Sequence, residues 1–302
     1  MKFITLMFLI FTVSNAYSSD QCGGNRDKEC KSIDAYEGMM RFEERCSGSL
    51  VKFENQPLDQ NAYMLTNGHC LNGHTLENGE MLVDVDYLGN KDVVLIDFMR
   101  KQHTLKLKKL VYATITGTDL ALLRLEKTYN EIEKEYKVKP LTVISEKPKA
   151  GIKIQVISGF WVETYSCSID KFVSTLKMGR EYPNINDLFK ITTDVMKYTK
   201  GGDCDKTPGG SSGSPIIKKG ARLMVGIHGS ANLFNNVADC KHFDGCEVND
   251  NGEIIIERPK CAKHYGCEIT EDNKTTVVDP GARYGFQAVS YTHLRAHETR
   301  HD

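Results

Sequence analysis

Three short segments hold residues able to act together on one bond. Thr66-Asn67-Gly68-His69-Cys70 supplies an imidazole and Thr118-Asp119-Leu120-Ala121-Leu122-Leu123 a carboxylate. Gly209-Gly210-Ser211-Ser212-Gly213-Ser214-Pro215 supplies a hydroxyl set among glycines. A serine hydroxyl is a poor nucleophile at neutral pH. It needs an adjacent base, and the base needs a partner that fixes its tautomer. In such chemistry Ser212 attacks a carbonyl carbon, His69 takes the hydroxyl proton and later delivers it to the leaving group, and Asp119 holds the imidazole and stabilises its charged form. Gly210 and Gly213 let the backbone turn tightly enough for amide groups to point into the site. The N–H groups of Gly210 and Ser212 then form an oxyanion hole, where losing one donor typically costs about 3–4 kcal/mol of transition-state stabilisation. Each segment alone has a plainer explanation: a glycine-serine loop, a structural or metal-ligating histidine, an aspartate in a turn. Their joint occurrence carries the reading.

The chain order His69, Asp119, Ser212 resembles that of the trypsin-like serine peptidases, and most of all their bacterial, glutamyl-endopeptidase-like branch. The resemblance runs from about residue 45 to about residue 231. It implies an endopeptidase working through an acyl-enzyme, on protein or peptide substrates and with no cofactor. It implies a disulfide between Cys46 and Cys70 that braces the histidine loop, a bridge on the order of 3 kcal/mol. A second bridge, Cys167 to Cys204, would tie a strand to the loop before Ser212. In the glutamyl branch, a threonine five residues before the nucleophile and a histidine on a following strand line the primary pocket. Thr207 and His228 match them, and Gly229 and Ser230 continue that wall. A hydroxyl and an imidazole, joined by Lys206, would bind a carboxylate side chain through charge-assisted hydrogen bonds. The competing reading places Asp205 or Asp203 at the pocket floor, where an acid selects Arg or Lys. The register of that loop stays open in the sequence. A further alternative is a catalytically silent relative that binds a partner through the same cleft. Two departures separate the chain from animal relatives. Ser211 stands where they have Asp, and no Arg followed by Ile-Val-Gly-Gly precedes the domain.

The elements that must carry these residues read as short strands with turns between them. Residues 48–53, 61–66, 81–87 and 120–125 make one set; residues 152–158, 190–194, 214–217 and 223–228 make another. Residues 81–87 alternate apolar and polar, as in a half-buried strand. Residues 130–139 are charged and read as a surface connection. Many short strands with little helical pattern indicate an all-β barrel or sandwich. The resemblance sharpens this to two six-stranded antiparallel β-barrels, with the site in the cleft between them. His69 and Asp119 would lie on the first (residues 41–139) and Ser212 on the second (140–288).

The chain has 302 residues, 40% of them hydrophobic, and a formal net charge of −1. That composition suits a globular protein and gives no bulk electrostatic handle for nucleic acid or an anionic membrane. Lys2, the apolar run from Phe3 to Val13 and the small residues Ser14-Asn15-Ala16 read as a signal peptide over residues 1–16, so that the mature chain is exported to an extracytoplasmic space, secreted or periplasmic, with no membrane attachment after cleavage. Residues 17–40 read as an N-terminal arm or pro-segment. The ten cysteines fit an oxidising compartment. Cys240 and Cys246 lie in a stretch that resembles the one around Cys261 and Cys267. This short repeat, with Cys22 and Cys30, is read as disulfide-bonded and not as a zinc site, because the five-residue spacing exceeds that usual for zinc. It forms an insert at about residues 239–268. Asn273-Lys274-Thr275 is a glycosylation sequon. Residues 289–302 read as a tail translated from a sequencing adapter.

Overall fold

A computed structural model describes residues 36–43, 45–72, 76, 79–182, 185–191, 195–199, 201–230, 246–248, 254–256, 264–271, 275–277 and 283–287. The signal and tail readings, the arm up to residue 35, and Cys22, Cys30, Cys240, Cys261 and Asn273 lie outside these residues; the last residues read as arm, Met39 and Met40, belong to a strand of the first barrel.

The described chain is all-β apart from one short helix and two single 3-10 turns. Six strands close on themselves in the first half: β1 (Met39–Phe42), β2 (Cys46–Phe53), β3 (Asn61–Thr66), β5 (Asp92–Ile96), β6 (Gln102–Thr114) and β7 (Leu120–Thr128). Antiparallel pairings run β1–β2–β3–β7–β6–β5 and back to β1. β4 (Met81–Val85) adds to the outer part of β6. The long strand β6 shows why this sequence makes a barrel wall. Leu105 and Leu107 are buried while Lys106 between them and Lys108 after them are exposed, the two-residue period of a strand with one face inward.

The second half closes in the same way. β9 (Lys153–Ser158), β10 (Glu163–Tyr182), β12 (Val195–Tyr198), β13 (Pro215–Lys218), β14 (Leu223–Ser230) and β19 (Tyr284–Gln287) form the ring β9–β10–β12–β19–β14–β13. All six pairings are antiparallel, and this is the two-barrel architecture of the chymotrypsin type. Beyond the ring, the far half of β10 pairs with β11 (Ile185–Ile191) and β17 (His264–Thr270), and β17 with β18 (Thr275–Val277). A separate pair joins β15 (Cys246–Val248) to β16 (Ile254–Ile256), the latter inside a stretch whose isoleucines read as strand-forming.

Residues 130–139 hold a difference from the sequence reading. Tyr129–Tyr136 form a helix, α1. Thr128 caps it: its hydroxyl accepts the Glu131 N–H at 3.2 Å, and the Glu131 carboxylate accepts the Thr128 N–H at 2.7 Å. Tyr129 and Ile132 turn inward, and the Tyr129 hydroxyl donates to Val51 O at 2.6 Å. Two anchors among exposed charges are enough to dock a helix on the first barrel, although the segment reads as wholly surface.

The apolar interior has three parts. One fills the first barrel around Leu50, Met64, Leu110 and Leu123. Another fills the second around Ile154, Val156, Met196 and Ile216. The third runs between the barrels, joining Val51, Tyr63 and Leu122 to Ile157, Val173, Ile227 and Phe286. Strand β8 (Leu141–Val143) lies in this seam, parallel to β2 on one side and to β14 on the other.

Candidate active site

Strand register brings the histidine and aspartate segments together. β3 pairs with β7 so that Thr66 faces Ala121. The chain leaving β3 and the chain entering β7 therefore meet at one end of the barrel. After Asn67 the backbone makes a single 3-10 turn, Gly68–Cys70, which presents His69. Three hydrogen bonds lock the turn to Asp119. Asn67 Nδ2 donates to Asp119 O at 2.7 Å, the His69 N–H donates to Asp119 Oδ1 at 3.0 Å, and His69 Nδ1 lies 2.5 Å from Asp119 Oδ2. A carboxylate accepts and does not donate, so the ring proton belongs on Nδ1 and Nε2 is left as the basic nitrogen. The Asp119 side chain is 4% exposed and that of His69 26%, which puts the carboxylate inside and the imidazole nearer the surface. Behind them Cys46 and Cys70 are joined in a disulfide, with Cα atoms 6.0 Å apart. The sulfurs lie within 4.8 Å of a His69 ring nitrogen. They are consumed in the bridge and offer no thiolate to a metal.

The serine loop is shaped by its own main chain. The Ser211 N–H donates to Pro208 O at 3.1 Å, Ser214 N–H to Ser211 O at 3.0 Å and Gly213 N–H to His228 O at 2.9 Å. Gly210 and Gly213 sit at φ +97° and +84°, a region that costs side-chain-bearing residues energy. Gly213 has a second constraint, since a Cβ there would fall 2.0 Å from Ser47 O. Among the described residues, the N–H groups of Gly210 and Ser212 donate to nothing, while those of Ser211, Gly213 and Ser214 are all engaged. Ser212 Oγ makes no hydrogen bond to His69 Nε2. In substrate-free serine enzymes this bond is often long and tightens only in the complex.

Ser47, on β2, is the residue that joins the two halves of the site, and the sequence reading gave it no role. It is fully buried. Its N–H donates to Ser212 O at 2.7 Å, its carbonyl accepts from Thr66 Oγ1 at 2.7 Å, and its hydroxyl donates to Gly210 O at 2.9 Å. The same hydroxyl accepts the Phe160 N–H at 3.1 Å. One small residue of the first barrel thus pins the serine loop of the second. The signal available in the sequence was the Ser-Gly-Ser run directly after Cys46.

The residues expected at the primary pocket lie together but deep. Thr207 and His228 are both fully buried. Thr207 Oγ1 donates to Cys204 O at 2.9 Å, and Cys204 is bonded to Cys167. The His228 ring stacks on Tyr198 with centroids 5.8 Å apart, and its Nδ1 lies 3.1 Å from the Tyr198 hydroxyl. Its Nε2 has no hydrogen-bond partner. Burial, helped by the positive charge of Arg283 and by His69, pushes the imidazole down to a pKa of about 3, so it is neutral at physiological pH. Gly229 and Ser230 continue β14, where Ser230 pairs with Tyr284. Two further candidates have partners of their own. Lys206 is paired with Asp203 at 3.1 Å on the surface, their side chains 75% and 59% exposed. Asp205 accepts the Gly201 N–H at 2.6 Å. The charged residue that the sequence reading missed is Arg283. It is buried, its carbonyl accepts the Tyr198 N–H at 3.1 Å, and it directly precedes β19, whose first residue, Tyr284, pairs with Ser230. Burial lowers its pKa and the charge of Asp205 opposes that shift. It escaped the sequence reading because more than fifty positions separate it from His228 along the chain.

The trypsin family profile matches residues 25–238, well over half of the chain. The chain belongs to the trypsin family. Some solved structures are similar to the chain at low identity. An inactive mutant form of Rv3671c from M. tuberculosis H37Rv is 13% identical, with 91% of this chain and 96% of that one covered and a TM-score of 0.45. The thermostable serine protease AL20 from an extremophilic microorganism is 11% identical, covering 90% and 100%, with a TM-score of 0.44. The scabies mite inactivated protease paralogue S-I1 is 14% identical, covering 91% and 99%, with a TM-score of 0.41. No curated protein sequence matches the chain closely. Among the described residues no helix is long and apolar enough to cross a membrane.

Proposed function

We propose that this trypsin-family protein is an active, exported serine endopeptidase whose catalytic residues are His69, Asp119 and Ser212. The observation that carries the reading is the doubly bonded His69–Asp119 pair, together with a serine loop whose Gly210 and Ser212 N–H groups are both unengaged. Ser212 Oγ bonds to the scissile carbonyl carbon as its proton passes to His69 Nε2. The carbonyl oxygen, now an anion, is held by the two N–H groups. His69 then returns the proton to the leaving nitrogen as the C–N bond breaks. Water repeats the sequence on the acyl-enzyme and regenerates Ser212. Asp119 keeps the imidazole in the required tautomer throughout.

For the residue before the scissile bond we favour glutamate, and aspartate less. The unpartnered Nε2 of His228 is a donor for a carboxylate when Nδ1 accepts from the Tyr198 hydroxyl, and Thr207, whose own hydroxyl donates to Cys204 O, shapes the wall beside it. His228 is neutral, so the compensating charge comes from Arg283. A buried Arg beside the pocket also disfavours Arg or Lys substrates through like-charge repulsion, and Asp205 is occupied by Gly201. Export rests on the amino-terminal signal, and two disulfides fit that destination.

The test is kcat/KM on peptide substrates that differ only before the scissile bond. We expect Glu to exceed Gln and Lys, and Ser212→Ala to lower turnover roughly 10⁴-fold or more while the fold persists. A preparation of Ser212→Ala that keeps most of the activity would overturn the catalytic assignment. Preference for Lys or Arg, lost in Asp205→Asn, would overturn the specificity while leaving the catalytic residues in place.

A further inference from the structure

The chain contains a single tryptophan, Trp161, and the fold puts it at the edge of the serine loop. It lies in the turn between β9 and β10, where Ser158 pairs with Glu163. Its indole N–H donates to Gly209 O at 2.8 Å, and its backbone N–H donates to Ser158 Oγ at 3.2 Å. The Phe160 ring meets it edge to face, with centroids 5.0 Å apart and planes at 80°. The two rings back Gly210 closely: a Cβ there would lie 2.9 Å from Phe160 Cδ1 and 3.1 Å from Trp161 Nε1. Even so, Trp161 is 46% exposed. A tryptophan kept only for packing has its ring covered. Here the polar edge is satisfied, the orientation is fixed at both ends, and much of the apolar face is open.

The direction in which that face serves a substrate follows from the stitching at Ser47. Phe160 donates to Ser47 Oγ, and Ser47 follows Cys46, whose disulfide braces the His69 turn. Thr207 and His228 approach the serine loop from elsewhere, through the Cys204 turn and through β14. The turn carrying Trp161 is therefore tied to the side from which His69 delivers its proton to the departing amine.

We propose that Trp161 is a specificity-determining residue: its exposed indole face is a platform for apolar or aromatic side chains of the one or two substrate residues that follow the scissile bond. This rests on the serine-peptidase reading of the cleft. The hydrogen bond to Gly209 prevents the indole from rotating away, so little ordering is needed when the substrate packs on it.

The experiment compares two substrate types with the same residues before the scissile bond. One is a p-nitroanilide, with no residue after the bond. The other is an internally quenched peptide with Leu or Phe after it. The quantity read is the ratio of kcat/KM for peptide over nitroanilide. Trp161→Ala is expected to lower this ratio about tenfold, the loss of one aromatic packing contact. Trp161→Phe keeps an aromatic face without the N–H and is expected to hold most of the ratio. Equal loss on both substrates, or the same fall for Phe as for Ala, would mean that Trp161 merely props the Gly209–Gly210 segment, and would overturn the proposal. A second readout needs no turnover. In the Ser212→Ala protein the one tryptophan is its own reporter, and titration with a short amidated peptide beginning Leu-Phe should shift its emission where one beginning Gly-Gly does not. If the wild-type protein cleaves neither substrate, the peptidase reading fails, and this titration still decides the platform: no emission shift at saturating peptide overturns it.

Discussion

On the first barrel, His69 and Asp119 are joined by two hydrogen bonds, with a third from Asn67 and a disulfide behind them. On the second barrel, Ser212 makes no side-chain hydrogen bond among the described residues. Its place is set by backbone bonds from its neighbours, by two glycines in the left-handed region and by Ser47 reaching across from the first barrel. The contrast fits the roles proposed for each group. A general base works only in one tautomer and one orientation, which side-chain bonds to a carboxylate can impose. A nucleophile and its oxyanion donors need open space and amide groups aimed outward, which only the main chain can arrange. The two barrels should accordingly fail in different ways: the first through small changes in side-chain chemistry, the second through added atoms in the backbone's path.

The largest effect is expected on the first barrel from a nearly isosteric change. Asp119→Asn should lower turnover about 10⁴-fold with little loss of stability, because an amide can present its NH₂ to Nδ1 and reverse the tautomer. Steady-state kinetics with a parallel melting curve would check it, and a loss under tenfold would remove Asp119 from the orienting role. Next comes the brace. The double change Cys46→Ala with Cys70→Ala should cost about 2–5 kcal/mol of unfolding free energy. Denaturant titration measures it, and activity should fall further than the lost fraction of folded protein because the His69 turn loosens. On the second barrel, Gly213→Ala should cost about 1–3 kcal/mol or more, since it combines a positive φ with overpacking against Ser47 O. It should also weaken substrate-analogue binding more than the equally conservative Ser214→Ala. Identical effects of the two would mean that the loop is not held by its glycine geometry.

A last test uses pH and isolates His228. Between about pH 6.5 and about 3, the unfolded chain binds a proton at His228 that the folded chain refuses. Stability therefore falls as pH drops through that window, by about 1.4 kcal/mol for each pH unit from this one group. Its slope should become shallower by that amount in His228→Gln. A slope unchanged by the substitution would show that His228 is not held neutral.

How far the site was legible follows from how local its constraints are. His69, Asp119 and Ser212 stand out as candidates because serine chemistry demands those residue types, and the flanking strands are short and regular; β3 spans the very residues that read as a strand, Asn61–Thr66. The pairing of Cys46 with Cys70 and of Cys167 with Cys204 came from family resemblance and is present in the structure. Helix α1 was missed although its Thr128–Glu131 capping box is plain in the sequence, because two buried side chains among eight residues leave no clear apolar stripe. Ser47 and Arg283 were missed for another reason. Each acts on a residue brought near it by barrel closure, Ser47 on Gly210 and Arg283 on His228, and no periodicity encodes that contact. The role assigned to Lys206 gave way to a surface pair with Asp203, a partner three residues away.

The most direct test of the whole account is covalent labelling. A fluorophosphonate reacts with a serine only when base and oxyanion hole act on it together, so it reads the cleft without any assumption about substrate. Incubation of the purified protein with such a probe, followed by peptide mass spectrometry, should give one adduct, on Ser212, that is nearly abolished in His69→Ala. An unlabelled wild-type protein, or an adduct on a different serine, would contradict the assignment of His69, Asp119 and Ser212 as one catalytic unit.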